Sequence, residues 1–280
     1  MFRKSIKQLF MIALVSIIPL ANAIGDSFWA IDKNGNTLCR LGITATVPEG
    51  TSWKPVTGQV LTCIAVGSQN TAWGTAKDGT IYFRQGITAE KPAGVSWLKV
   101  DGGLSCIAVG SQNTVWGTAK DKTIYLRQGI TAAKPEGTSW LKVAGKLCFI
   151  AVGSQDTVWG LQNDGDIFLR QGISPTNATG TKWKKIDGNK VSISVGSQNT
   201  VWGTNKLGKV YYRRGITTKL PEGAGWNEVD GTLVRVSVSA QNVVRGIDKN
   251  GDIFIRINTS SANPGGKAWK KIDSGFSMIA

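Results

Sequence analysis

The sequence predicts an all-β protein, a six-bladed β-propeller of four-stranded antiparallel blades whose ring is closed by pairing N- and C-terminal strands in one blade. Three observations predict it. The stretch V-G-S-Q-N-T-V-W-G recurs with its starts at residues 66, 109, 152, 195 and 238, a constant step of 43. Each copy is followed by three more short β-like segments in fixed order. The two ends of the chain carry complementary parts of one further repeat. A period of about 40–45 residues with four strands per unit is the pattern of a propeller blade.

The first 23 residues read as an export signal. Arg3, Lys4 and Lys7 precede the apolar run Leu9–Leu20, and Ala21-Asn22-Ala23 supplies the small residues of a cleavage site. A run of about 12 apolar residues is too short to span a bilayer. Cleavage after Ala23 leaves residues 24–280 as the six-repeat domain and implies a secreted or periplasmic protein. Those 257 residues nearly equal six repeats of 43.

Leu104–Gly145 serves as the model repeat. Leu104–Gly110 alternates as strand one, Thr114–Lys120 is strand two, Thr123–Gln128 strand three and Ser139–Val143 strand four. Between strands two and three lie Asn34-Gly35, Asp78-Gly79, Asp121-Lys122, Asp164-Gly165, Leu207-Gly208 and Asn250-Gly251, pairs that suit a type I′ hairpin turn. The longer connection from strand three to strand four carries Pro92, Pro135 and Pro221 at matching places. Phe28–Asp32 matches strand two, and Phe276–Ala280 matches strand one with nothing after it. An isolated four-stranded sheet cannot bury both faces; radial stacking and ring closure do.

Composition narrows the function. There is no His among 280 residues, which removes the commonest general base and metal ligand. No Ser-His or Cys-His pair and no phosphate loop is present, so the chain reads as a non-enzyme without cofactor or metal. Asp248–Asp252 resembles a calcium loop only superficially and falls on a hairpin turn. The net charge is +15, and +12 without the signal, which favours anionic partners. Nucleic acid conflicts with export. Cys63 and Cys106 share one repeat position, Cys148 is one residue off it, and Cys39 lies elsewhere. A disulfide framework and buried free thiols both fit this spacing.

The segments G-L-S-C-I-A-V-G-S-Q-N-T-V-W-G-T, T-I-Y-L-R-Q-G-I-T and G-T-S-W-L-K-V resemble the tectonin repeat, the family of the fish-egg lectins, the horseshoe-crab tectonin-type lectin and the fungal and slime-mould tectonins. The resemblance covers about residues 25–280. It implies a six-bladed propeller that binds glycans, with lipopolysaccharide, other microbial surface polysaccharides and methylated sugars among the ligands of similar proteins.

Three repeated positions are candidates for such a site. Trp29, Trp73, Trp116, Trp159 and Trp202 stand in strand two, with Arg245 as the sixth copy. A charge at a core position is costly, so this position is expected to be at least partly exposed, open to sugar stacking as well as packing. Gln69-Asn70, Gln112-Asn113, Gln155-Asp156 and Gln198-Asn199 offer donors and acceptors to hydroxyls, or tie neighbouring loops together. Arg84, Arg127, Arg170 and Arg213, with Arg40 and Arg256, end strand three and suit a phosphate or carboxylate, or a stack on a neighbouring Trp. Trp53, Trp97, Trp140, Trp183, Trp226 and Trp269, present in all six copies of strand four, are expected to pack between blades. The reading is a multivalent lectin with equivalent sites between blades and a poor or different site at the degraded fifth copy. An envelope adhesin or protein-interaction platform is the alternative.

Overall fold

The computed structural model describes residues 27–67, 71–110, 114–153, 157–196 and 200–280. The predicted export signal lies outside them. Among the described residues no helix is long and apolar enough to cross a membrane.

Six antiparallel four-stranded sheets form the ring, as predicted. Five are continuous in sequence: β4–β7 (63–100), β8–β11 (106–146), β12–β15 (149–186), β16–β19 (192–232) and β20–β23 (235–273). The sixth joins β24 (Phe276–Ile279) to β1 (Trp29–Asp32), β2 (Thr37–Leu41) and β3 (Ser52–Val56). Ala30 pairs with Ile279 and Ile31 with Met278, and the Ala280 amide donates to Trp29 O at 2.9 Å.

Two expectations about the repeat need correction. Leu104 is not part of strand one. It lies in the connection before β8 (Cys106–Val109) and is buried. Its side chain occupies the space a Cβ at Gly117 would take, Cδ1 lying 2.4 Å from that position. Leu61 over Gly74, Leu147 over Gly160 and Leu233 over Gly246 repeat the arrangement, which is why Gly follows the strand-two aromatic. The hairpin turn is also not type I′. Only the second residue of each pair has positive φ, as at Gly79 (φ 91°) and Lys122 (φ 67°). The Gly79 amide donates to Ala76 O and the Ala76 amide to Thr80 O, a three-residue loop closed by a left-handed residue. Asp78 stabilises it by accepting from the Thr80 amide at 2.9 Å.

Candidate functional site

The strand-two tryptophans are core residues. Trp73, Trp116, Trp159 and Trp202 are 0% exposed and Trp29 is 1% exposed, so none offers a face to a sugar. The cause is the ring itself: strand two faces the next blade, and that blade's strand-four Trp closes over it. Trp73 lies 5.1 Å from Phe83 and meets Trp140 edge-on at 6.3 Å; Trp159 with Trp226 and Trp202 with Trp269 do the same. Arg245 does not mark an exposed position either, being 1% exposed. Its guanidinium stacks 4.4 Å over Phe28 and Nη2 donates to Pro48 O at 2.8 Å. Phe28 stands where the other blades carry Ala72, Val115, Val158, Val201 and Val244, so a larger neighbour compensates for the changed residue.

The strand-three arginines are likewise structural. Arg84, Arg127, Arg170 and Arg213 are buried, and each Nε donates to a carbonyl of its own strand-three-to-four loop: Ala93, Glu136, Thr179 and Glu222, at 2.6–2.8 Å. Each guanidinium lies 5.1–5.3 Å over the strand-four Trp of its blade. Arg127 and Arg213 also reach Asp101 and Asp187 of the preceding blade at 2.8 and 2.7 Å. Arg84 and Arg170 meet no carboxylate among the described residues, and burial lowers both of their pKa values. These contacts hold loops and blades together, and of the four only Arg213 also lines the groove bordered by the fifth copy.

Gln69-Asn70, Gln112-Asn113, Gln155-Asp156 and Gln198-Asn199 lie outside the described residues. The fifth copy, Gln241-Asn242, is described, and it borders a groove of about 970 Å³ between β16–β19, β20–β23 and the 45–49 loop of the closing blade. Tyr212, Arg214, Asn227, Gln241, Asn258 and Ser260 line it. Tyr212 rests on Trp202, and its hydroxyl accepts from Asn227 Nδ2 at 3.0 Å. Arg214 and Gln241 are exposed. Asn242 adopts φ 61°, held by its amide donating to Ser239 O, and its Oδ1 is buried with no hydrogen-bond partner among the described residues. Lys270 and Glu49 close one end with a 2.6 Å ion pair, which keeps Glu49 below the usual carboxylate range. The groove thus combines amides, hydroxyls, an aromatic ring and the exposed guanidinium of Arg214. Sequence reasoning missed it because it arises where the fifth repeat departs from the others.

Two further sites break the repeat. Lys190 occupies the position of Leu61, Leu104, Leu147 and Leu233 and is 4% exposed. Its Nζ lies 4.2 Å over Tyr211 and 4.5 Å over Trp226. Burial pushes its amine down to about 8. On the axis, the innermost strands enclose a channel of about 110 Å³ lined largely by their apolar residues, with Arg235 resting 5.4 Å over Phe149. All four cysteines are free thiols. Hydrogen bonding between Cys63 and Cys106 holds Cys63 below the usual thiol range and pushes Cys106 above it. Among the described residues no three His, Cys, Asp or Glu side chains come together as a metal site. Setting the repeats side by side exposes both departures, since only chemistry at an otherwise constant position marks them.

These features define a class: a propeller of near-identical blades, clasped by buried Arg–Trp pairs, with a groove at its divergent fifth repeat. Within that class the chain belongs to the Tectonin family, whose domain matches residues 26–192 and 185–280. It is similar to Tectonin beta-propeller repeat-containing protein 1 of Gallus gallus, 45% identical over 58 residues that make up 19% of this chain and 5% of that protein. The chain therefore spans a small part of the length of that relative. Among solved structures, YCF48 bound to D1 peptide superposes with a TM-score of 0.51 at 13% identity, over 88% of this chain and 77% of the other. Prp20p from Saccharomyces cerevisiae does so with a TM-score of 0.51 at 10% identity, over 89% and 76%. At such identities the likeness is one of fold.

Proposed function

We propose that the protein is a non-catalytic lectin that is exported, by cleavage after Ala23, to bind anionic glycans of microbial surfaces. The observation that supports this reading is the groove beside Gln241-Asn242. Amides and hydroxyls match the alternating donors and acceptors of a saccharide, the Tyr212 ring offers an apolar wall, and Arg214 offers charge to a carboxylate or phosphate. A net charge of +15, or +12 once the signal is removed, draws anionic surfaces to the protein at long range. The arrangement differs from the expected ring of equivalent sites, because the tryptophans and arginines assigned to those sites are buried. The principal site is placed at the fifth repeat, and any further sites rest on the Gln-Asn loops of the other blades.

A glycan array with lipopolysaccharide as competitor tests the proposal. Binding by the intact protein, reduced by Asn227→Ala and Arg214→Ala but not by Lys77→Ala on a distant turn, is the expected result. A folded protein that binds no glycan overturns it. Capture of a protein ligand unaffected by excess sugar would favour the interaction-platform reading instead.

A further inference from the structure

The axial channel carries a second kind of chemistry. The first residues of the inner strands β4, β8, β12, β16 and β20 are Cys63, Cys106, Phe149, Ser192 and Arg235, and Met278 completes the series at the same 43-residue step. They stand at one level of the ring, because they pair with equivalent strand-two positions: Thr75, Thr118, Leu161, Thr204, Ile247 and Ile31. Met278, Cys63 and Cys106 therefore fall on three consecutive blades. All three are buried in one apolar cluster, and Cys63 and Met278 line the channel. Both thiols lie against a single oxygen, Ile107 O, at 3.9 Å from Cys63 Sγ and 4.0 Å from Cys106 Sγ.

We propose that Cys63, Cys106 and Met278 form a binding site for a soft monovalent cation, Cu(I) being the probe of choice. The donor set is two thiols and a thioether. Such ligands select Cu(I), whereas zinc would require a fourth ligand, and among the described residues no His, Asp or Glu lines the channel to supply one. Binding is an exchange of protons for metal: Cu(I) displaces one proton from each thiol, both protons leave to solvent, and no electron moves. The resulting bis-thiolate copper unit carries one negative charge. Arg235 lies in the same channel with no carboxylate partner among the described residues, and it balances that charge. None of these three residues lines the glycan groove, although Gln241 borders both openings.

The test titrates the reduced full-length protein against the coloured Cu(I)–bicinchoninate complex without oxygen. One Cu(I) per chain should be withdrawn from the dye. Cys63→Ala and Cys106→Ala should abolish the withdrawal, Met278→Leu should weaken it by roughly tenfold or more, and Cys148→Ser should leave it unchanged. Near-ultraviolet circular dichroism of the buried tryptophans identifies variants that keep the ring. X-ray absorption of the loaded wild type should show a shell of sulfur alone, a readout that needs no variant. No competition with the dye, full stoichiometry in a folded Cys63→Ala, or nitrogen and oxygen in the metal shell would each overturn the proposal. So would copper leaving two fewer free thiols and no bound metal, the result of disulfide formation.

Discussion

Replacing Lys190 by Leu should make the protein more stable, by an amount that depends on pH. Lys190 fills a core position where four other blades carry Leu, and its stem passes 3.2 Å from the place of a Cβ at Gly203. Its amine falls from 10.5 to about 8 because burial strips the ammonium of water. At 1.36 kcal/mol per unit this sets an upper limit of about 3 kcal/mol on the cost of the charged form. The contacts with Tyr211 and Trp226 return roughly 0.5–1 kcal/mol each. The net gain for Lys190→Leu at pH 7 is therefore about 1–2 kcal/mol, or roughly 2–8 °C in melting temperature for a chain of this size. The sign with pH is fixed by proton counting. Between pH 8 and 10.5 the unfolded chain holds more protons on this lysine than the folded one, so wild-type stability rises across that window. The advantage of the variant should thus shrink as pH climbs from 8 towards 10.5. Scanning calorimetry of both proteins at pH 7, 8.5 and 10 measures it. A destabilised variant, or a gain that stays the same at every pH, would refute the argument.

Further outcomes follow from the same packing. Trp116→Ala should cost about 3–5 kcal/mol, as expected for emptying a fully buried aromatic site, and read as a lower denaturation midpoint. Gly117→Ala should cost more than about 2 kcal/mol, since its Cβ would meet Leu104 Cδ1 at 2.4 Å and Cys106 O at 2.9 Å; Gly103→Ala, whose nearest neighbour would be 3.9 Å away, should stay within about 0.5 kcal/mol of wild type. Arg245→Trp should destabilise although it restores the repeat, and Phe28→Val should rescue it; a double-mutant cycle in urea that finds the two changes additive would disprove their coupling. Glycan binding, if carried by Arg214, should weaken as salt rises from 50 to 500 mM in a titration.

The architecture was legible because its determinants repeat. The Trp-Gly pair, the turn glycines and the strand-four Trp are each imposed by a contact that every blade must make, so periodicity alone revealed them. The candidate site was less legible for the same reason. Repetition marks Trp73 and Arg84 equally well as scaffold or as site, and only their burial and occupied hydrogen-bonding groups decide between the two. A charge at position 245 suggests contact with water, whereas Phe28 from the adjoining blade supplies the surroundings of Arg245. Tyr212 and Asn227 acquired meaning only once two blades were placed side by side. The turn type was misread because Asp-Gly suits both a two-residue turn and a three-residue loop, and the loop length is set by where the strands stop pairing.

The clasps between blades are unequal, and this gives a closed circle a weak point. Trp140, Trp183, Trp226 and Trp269 each donate Nε1 to a carbonyl of the preceding blade, and Trp53 donates to Asp273 Oδ2. Among the described residues the Trp97 Nε1 has no such acceptor, and Arg84 beside it crosses to the preceding blade through Thr57 O alone, at 3.2 Å. Heat or force applied to the ring should therefore part it at the joint between Thr57 and Trp97. The circle then behaves as a split washer, with amide exchange starting at that joint and spreading to both sides.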